Sequence, residues 1–137
     1  MPTKVFSYKY LALLYALLIF ALSAIPSISP SSFGFVLEDK FLHFIEYSIF
    51  SFLLFLAFFA SRKEFFKKNV FLLCCLIGIA YAVSDELHQR LVPGRSCEFF
   101  DFLADSLGIV VVQIGIWFYL KRKRNRSRLT TSCPPGP

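Results

Sequence analysis

Four long runs of apolar residues, separated by short polar segments, make up most of the chain. The runs are residues 10–25, 41–60, 70–83 and 99–120. A helix needs about 20 predominantly apolar residues to cross the hydrocarbon core of a bilayer. The second and fourth runs reach that length unaided, whereas the first and third need the residues next to them. The pattern therefore predicts an all-α polytopic membrane protein, a four-transmembrane-helix bundle with short loops.

The predicted spans cover about residues 7–25, 41–60, 69–90 and 99–120, which places residues 1–128 in a single transmembrane domain. Composition agrees with this prediction. Of the 137 residues, 56% are apolar, and only 18% are charged, against about 25% in soluble domains. The remaining residues, 129–137, are polar and Pro-rich, and we expect them to form a disordered cytoplasmic tail.

The basic residues predict the orientation of the spans, because Lys and Arg close to a span are retained on the cytoplasmic side. Twelve of the fifteen bases lie before span one, between spans two and three, or after span four. Eight of the nine acids lie in the opposite half of the bundle. This distribution predicts a multi-pass membrane protein with both termini in the cytoplasm.

Two further interpretations concern the ends of the chain. The basic run 121–128 has the charge of a nucleic-acid-binding segment, but the orientation of span four already explains it, so we expect no nucleic-acid partner. Near the N-terminus, Lys4, Lys9, an apolar stretch and the small residues before Ala24 resemble a secretory signal. Cleavage after Ser23 would leave three spans, and the sequence leaves this alternative open.

Ionisable side chains gather at the ends of spans two, three and four that face away from the cytoplasm. Helical spacing of three and four residues sorts them into faces. These faces hold Asp39, His43, Glu46 and Tyr47 on span two, Asp85, His88 and Gln89 on span three, and Asp101 and Asp105 on span four. Ionisable groups inside a membrane are costly, face the protein interior and commonly mark functional sites. The faces therefore predict one polar cluster.

A structural network is the alternative to a functional cluster. His43 or Arg95 could neutralise Glu46 and Asp105 simply to hold three short helices together. Glu86 and Arg90 are four residues apart on one helix, so we expect them to form a solvated ion pair.

The residues at these helix ends occur in ordered blocks. The blocks are Lys40 with His43, Phe44 and Tyr47; Ser84-Asp85-Glu86 with Gln89; Pro93-Gly94-Arg95; and Asp101 with Ala104, Asp105 and Gly108. Together they resemble the VanZ-like family, small membrane proteins named for one that confers low-level teicoplanin resistance. The pattern covers positions 39–108, and the family's usual Asn is Asp105 here. The resemblance implies a bacterial cell-envelope setting, with the chain in the cytoplasmic (inner) membrane, and supplies no reaction.

The candidate ligand-binding residues come from this cluster. They are Asp39, Lys40, His43, Glu46, Tyr47, Ser84, Asp85, Glu86, His88, Gln89, Arg95, Asp101 and Asp105. Pro93 ends span three and Gly94 permits a turn, so Arg95 is aimed back over the outer opening, where a guanidinium binds phosphate or carboxylate bidentately. We expect the cluster to bind an anionic lipid or a peptidoglycan precursor, with a link to glycopeptide resistance.

The same residue types offer an alternative, a metal-assisted membrane hydrolase or transferase that acts on an envelope lipid or precursor. The candidate ligands of a divalent metal are His43, Glu46, Asp85, His88, Asp101 and Asp105. The sequence requires no cofactor and contains no HExxH arrangement, so it leaves open whether the protein is an enzyme. It is also compatible with a homo-oligomer in the bilayer.

Overall fold

The computed structural model describes residues 3–26, 36–95 and 98–131, and it describes side chains over 8–26, 39–95 and 98–128. Within these ranges the chain is all-α and contains no strand, which confirms the predicted fold class for the described part of the chain. The helices are α1 (Thr3–Ser23), α2 (Val36–Phe59), α3 (Glu64–Lys68), α4 (Val70–Gln89) and α5 (Phe99–Thr131).

Three helical segments are long and apolar enough to cross a bilayer. They are Asp39–Phe59, Val70–Gln89 and Phe99–Arg128. The first predicted span corresponds to α1, whose apolar part, Tyr8–Ser23, is shorter within the side-chain-described range. Length and composition therefore identify three spans in the described residues, one fewer than the sequence predicts.

Helix α5 continues well past the predicted end of its span at residue 120. It is helical through Thr131, so the first three residues of the expected disordered tail are helical, and residues 132–137 lie outside the described part of the chain. Lys and Arg are good helix formers, and the basic run 121–128 therefore prolongs the helix beyond the apolar segment. The short helix α3 was not predicted, because its five residues are too few and too polar to show a helical pattern.

Helix α2 is the centre of the bundle. It packs against α1, α4 and, most extensively, α5. Its buried side chains include Tyr47 and Phe50, which meet Cys74 of α4 and Ile109 of α5 in the apolar core. Many large apolar side chains point outward instead, as in Leu14 and Leu72, which are both more than half exposed. An outer surface of this kind suits hydrocarbon rather than water.

Helix α1 is an integral part of this packing. Its Ile19 is fully buried, and Ser23 is nearly so. The Tyr81 hydroxyl donates a hydrogen bond to the Ala16 carbonyl over 2.6 Å, and the Phe20 ring stacks on the His88 ring at 4.3 Å between centroids. These contacts join α1 to α4 within the described residues.

Helices α2 and α5 approach each other closely at Gly108. A Cβ atom placed on Gly108 would lie 2.4 Å from the Phe44 carbonyl oxygen and 2.9 Å from the Ser48 hydroxyl oxygen. A side chain at this position cannot be accommodated without separating the helices. Because glycine has no side chain, α2 and α5 can lie close together next to the polar residues of both helices.

Candidate functional site

The predicted polar residues lie at one end of the bundle, where α2 begins, α4 ends and α5 begins. We call this the polar end, and we call the opposite end, with the α2–α4 connection and the 121–128 run, the basic end. A tight turn after α4 brings the chain back for α5. Gly94 adopts φ 79°, a conformation that side chains disfavour, and the Arg95 N–H closes the turn on the Val92 carbonyl over 3.2 Å. The predicted role of Gly94 in the turn is confirmed.

Lys40 joins α2 to the start of α5. Its Nζ lies 2.9 Å from Glu98 Oε2 and 2.8 Å from Asp101 Oδ1. The two acids differ in environment, because the Asp101 side chain is only 4% exposed and that of Glu98 is 46% exposed. The Lys40 ammonium group is therefore committed to two protein carboxylates. Sequence reasoning had not placed Glu98 in the site, although its position just before α5 and its charge were visible.

A second link between α2 and α5 lies deeper in the bundle. His43 Nδ1 is 3.1 Å from Asp105 Oδ1, and both side chains are buried. The two residues come together because Gly108, three residues after Asp105, lets the helices approach. Tyr47, one turn further along α2, is fully buried in the core.

Helix α4 contributes a buried carboxylate that holds the start of α5. Glu86 Oε2 accepts a hydrogen bond from the Glu98 backbone N–H over 3.1 Å, which satisfies one of the unpaired donors at a helix start. Glu86 is only 4% exposed, and Arg90 is exposed and forms no ion pair within the described residues. The expected solvated pair of Glu86 and Arg90 is therefore wrong, because α5 offers Glu86 a donor inside the bundle.

Asp85, Gln89 and Arg95 form a chain of hydrogen bonds that leads towards α1. Gln89 Nε2 donates to Asp85 Oδ2 over 3.1 Å, and Arg95 donates to Gln89 Oε1 over 3.4 Å. The other Arg95 nitrogens donate to the carbonyls of Leu22 and Ile25, over 3.3 and 3.1 Å. The guanidinium thus contacts two carbonyls at the end of α1, and each of its three nitrogens donates to a protein oxygen.

Several oxygens within this region are buried and have no hydrogen-bond partner in the described residues. They are Tyr47 Oη, Asp85 Oδ1, Glu86 Oε1 and Asp105 Oδ2. Each of the three carboxylates uses its other oxygen in one of the bonds described above. Because buried polar atoms are nearly always paired, unpaired oxygens indicate groups that a water, a ligand, a proton or an ion completes.

Two groups of side chains bring ligand atoms within 4.8 Å of one another. One comprises His43, Glu86 and Asp105, all buried, and the other comprises Asp39, His43 and Asp101, of which Asp39 is exposed. Neither Glu86 nor Asp39 was among the predicted metal ligands. Sequence spacing had assigned Glu86 to the solvated face of α4.

Three other predicted site residues lie apart from these groups. Ser84 is exposed, and His88 stacks on Phe20 of α1, with its Nε2 atom buried and unpaired. Glu46 is half-buried on α2, three residues after His43, and makes no hydrogen bond or ion pair within the described residues. The structure thus brings together most of the predicted cluster and turns Ser84 and His88 away from its centre.

Comparison with known proteins identifies the family. The sequence model of the VanZ/LLP1 family matches residues 8–122, a range that contains α2, α3 and α4 and most of α1 and α5. No curated protein and no solved structure matches the chain. The match confirms the resemblance carried by the ordered blocks between positions 39 and 108. The chain therefore belongs to the VanZ-like family, whose members are membrane proteins of the bacterial envelope.

Proposed function

We propose that the chain is a four-span protein of the bacterial inner membrane, with both termini in the cytoplasm, that binds a lipid-linked envelope ligand at its polar end. Helix α1 is the fourth span, since its 21 residues extend over about 30 Å, the thickness of the hydrocarbon core. The polar end faces outward because the bases at the other end are retained in the cytoplasm.

The orientation can be tested by labelling single cysteines in a chain whose native cysteines are replaced by Ser. We expect Leu91→Cys, at a position that is 81% exposed at the polar end, to react with a membrane-impermeant maleimide on intact cells. Lys67→Cys, at an exposed position of α3, should react only after the cells are permeabilised. The opposite labelling pattern would invert the topology.

The observation that carries the proposed binding function is the set of unpaired, buried oxygens of Asp85, Glu86 and Asp105. A purely structural network would be expected to satisfy its own members, because an unpaired buried acceptor costs about 1–3 kcal/mol. Ionised carboxylates accept hydrogen bonds and bind cations, so the complementary ligand carries hydroxyl or amino groups or arrives with a metal ion. The headgroup of a lipid-linked sugar or peptidoglycan precursor has this chemistry.

A lipid-linked precursor also carries phosphate, and Arg90 is the base best placed to bind it. Lys40 is bonded to two carboxylates, and each of the three Arg95 nitrogens already donates to a protein oxygen. Arg90 is exposed one helical turn beyond the buried Glu86, so it lies at the rim of the cluster on the same face of α4. The family's association with glycopeptide resistance fits a ligand of this class, because glycopeptides act on peptidoglycan precursors.

We expect Arg90→Gln to weaken binding of a polyprenyl phosphate about tenfold, since a charge-assisted hydrogen bond to phosphate is lost. The measurement compares the purified protein in nanodiscs with a polyprenyl phosphate and with the uncharged polyprenol. Arg62→Gln is the matched control, because Arg62 is an exposed base near the basic end. Equal affinities for the phosphate and the alcohol, or equal effects of the two substitutions, would contradict the proposal.

A metal-assisted hydrolase or transferase is the second candidate function. The grouping of His43, Glu86 and Asp105 favours it, because these residue types can hold a divalent metal that activates water. Metal-dependent release of phosphate from a polyprenyl diphosphate by the purified protein would support catalysis over binding alone.

A further inference from the structure

The inner part of the polar end contains three buried ligand groups from three different helices. His43 of α2, Glu86 of α4 and Asp105 of α5 each offer one ligand atom, and these atoms lie within 4.8 Å of one another. Three atoms evenly placed around one divalent cation at about 2.0–2.2 Å lie at most about 3.8 Å apart. The three ligand atoms therefore need to approach one another by no more than about 1 Å to share one ion.

The hydrogen bonds of the two carboxylates prepare them for such a role. Asp105 uses Oδ1 to contact His43 and keeps Oδ2 unpaired, and Glu86 uses Oε2 to accept the Glu98 N–H and keeps Oε1 unpaired. Glu86 is thus held by one oxygen through a group outside the site, while the contact between Asp105 and His43 holds two of the site's own side chains together. Metal ligands are commonly oriented in this manner by bonds to the protein.

The charge of the group also favours a cation. Asp105 is 0% exposed and Glu86 is 4% exposed, so bulk water does not solvate the charge of either carboxylate. The base nearest along α2, Lys40, is bonded to Glu98 and Asp101 instead. A protonated His43 would balance only one of the two negative charges, whereas a divalent ion balances both.

We propose that His43, Glu86 and Asp105 bind a divalent transition-metal ion. One nitrogen and two carboxylate oxygens are the ligand types of Zn²⁺ and Mn²⁺ rather than of Ca²⁺. Three protein ligands leave at least one coordination position open. The inference deepens the proposed function and rests on it for the role of the ion, which is to hold the phosphate of the lipid-linked ligand above the carboxylates.

Direct metal binding tests the site without any lipid. The full-length protein is purified in detergent, treated with EDTA, and titrated with Mn²⁺ while the free ion is followed by electron paramagnetic resonance. We expect one ion per chain, with binding at least about tenfold weaker in Asp105→Asn and in Glu86→Gln. Glu64→Gln is the matched control, because Glu64 is an exposed carboxylate of α3 near the basic end.

A second measurement on the unaltered protein keeps the test decisive where a variant fails to fold. Bound Mn²⁺ should show magnetic coupling to a histidine nitrogen in electron spin echo spectra. Stoichiometric binding with this coupling supports the site. Failure of the folded protein to bind Mn²⁺ or Zn²⁺, binding without the coupling, or an equal effect of Glu64→Gln would overturn it.

Binding measurements with Mn²⁺ and with the polyprenyl phosphate, made on the same purified protein, distinguish this inference from the proposed function. If Mn²⁺ binds and the polyprenyl phosphate does not, the metal site stands and the proposed ligand is wrong. If the polyprenyl phosphate binds equally well with and without EDTA, the proposed ligand stands and the role of the ion is wrong.

Discussion

Gly108→Ala is expected to lower the free energy of unfolding by about 3 kcal/mol, at the upper end of the cost of overpacking a well-packed core. The new methyl group would lie 2.4 Å from the Phe44 carbonyl oxygen, which is backbone and cannot rotate away. Helices α2 and α5 would have to separate, and the contact between His43 and Asp105 would lengthen. The measurement is unfolding of the purified protein by SDS in mixed micelles.

Gly115→Ala is the control for the Gly108 substitution. Both glycines belong to α5, but a Cβ atom on Gly115 meets nothing within 4 Å. Alanine is the better helix former, so this variant should be unchanged or more stable by up to about 1 kcal/mol. Equal losses of stability in the two variants would show that helix propensity, and not the close approach of α2 to α5, determines the result.

Lys40→Met is expected to lower the free energy of unfolding by about 2 kcal/mol, between the values for exposed and fully buried ion pairs. The reason is the Asp101 carboxylate, which is 4% exposed and would lose the ammonium group 2.8 Å away. Removing both partners in Lys40→Met/Asp101→Leu should restore more than half of the loss, because no buried charge is then left unpaired.

Lys67→Met provides the comparison for Lys40→Met. Lys67 lies 3.0 Å from Glu64 in a pair whose side chains are both well exposed, and its loss should change stability by no more than about 0.5 kcal/mol. The same SDS titration measures all variants. Similar effects at Lys40 and Lys67, or no recovery in the double variant, would show that the Asp101 pair does not hold α2 to α5.

The membership of the polar cluster could largely be predicted from the sequence, but the partners of its residues could not. Spacing of three and four residues showed that Asp101 and Asp105 share a face of α5. It could not show that Lys40 reaches Asp101 while His43 reaches Asp105. Those pairings depend on how far α2 is rotated and shifted relative to α5, which is decided where Gly108 contacts the Phe44 carbonyl.

The partners of Glu86 and Arg95 could not be predicted from the sequence either. Spacing within one helix paired Glu86 with Arg90, but the start of α5 offers Glu86 a backbone donor that only the turn through Gly94 brings near. The sequence predicted the turn itself, and it predicted that Arg95 lies back over the outer opening. In the structure the guanidinium donates hydrogen bonds to the carbonyls of Leu22 and Ile25 at the end of α1. No local sequence pattern relates Arg95 to these two residues.

By itself the sequence determined that the chain is an all-α membrane protein, because the length of an apolar run is a local property that needs no tertiary contact. It placed α2, α4 and the start of α5 within a few residues, and its ordered blocks carried the family. Only the tertiary structure decided which carboxylates are buried and which bases are bonded to protein oxygens. It also decided which carboxylate oxygens lack a hydrogen-bond partner in the described residues. Those outcomes depend on contacts between helices that are distant in sequence. Rotating one helix by a single residue position exchanges a buried side chain for an exposed one.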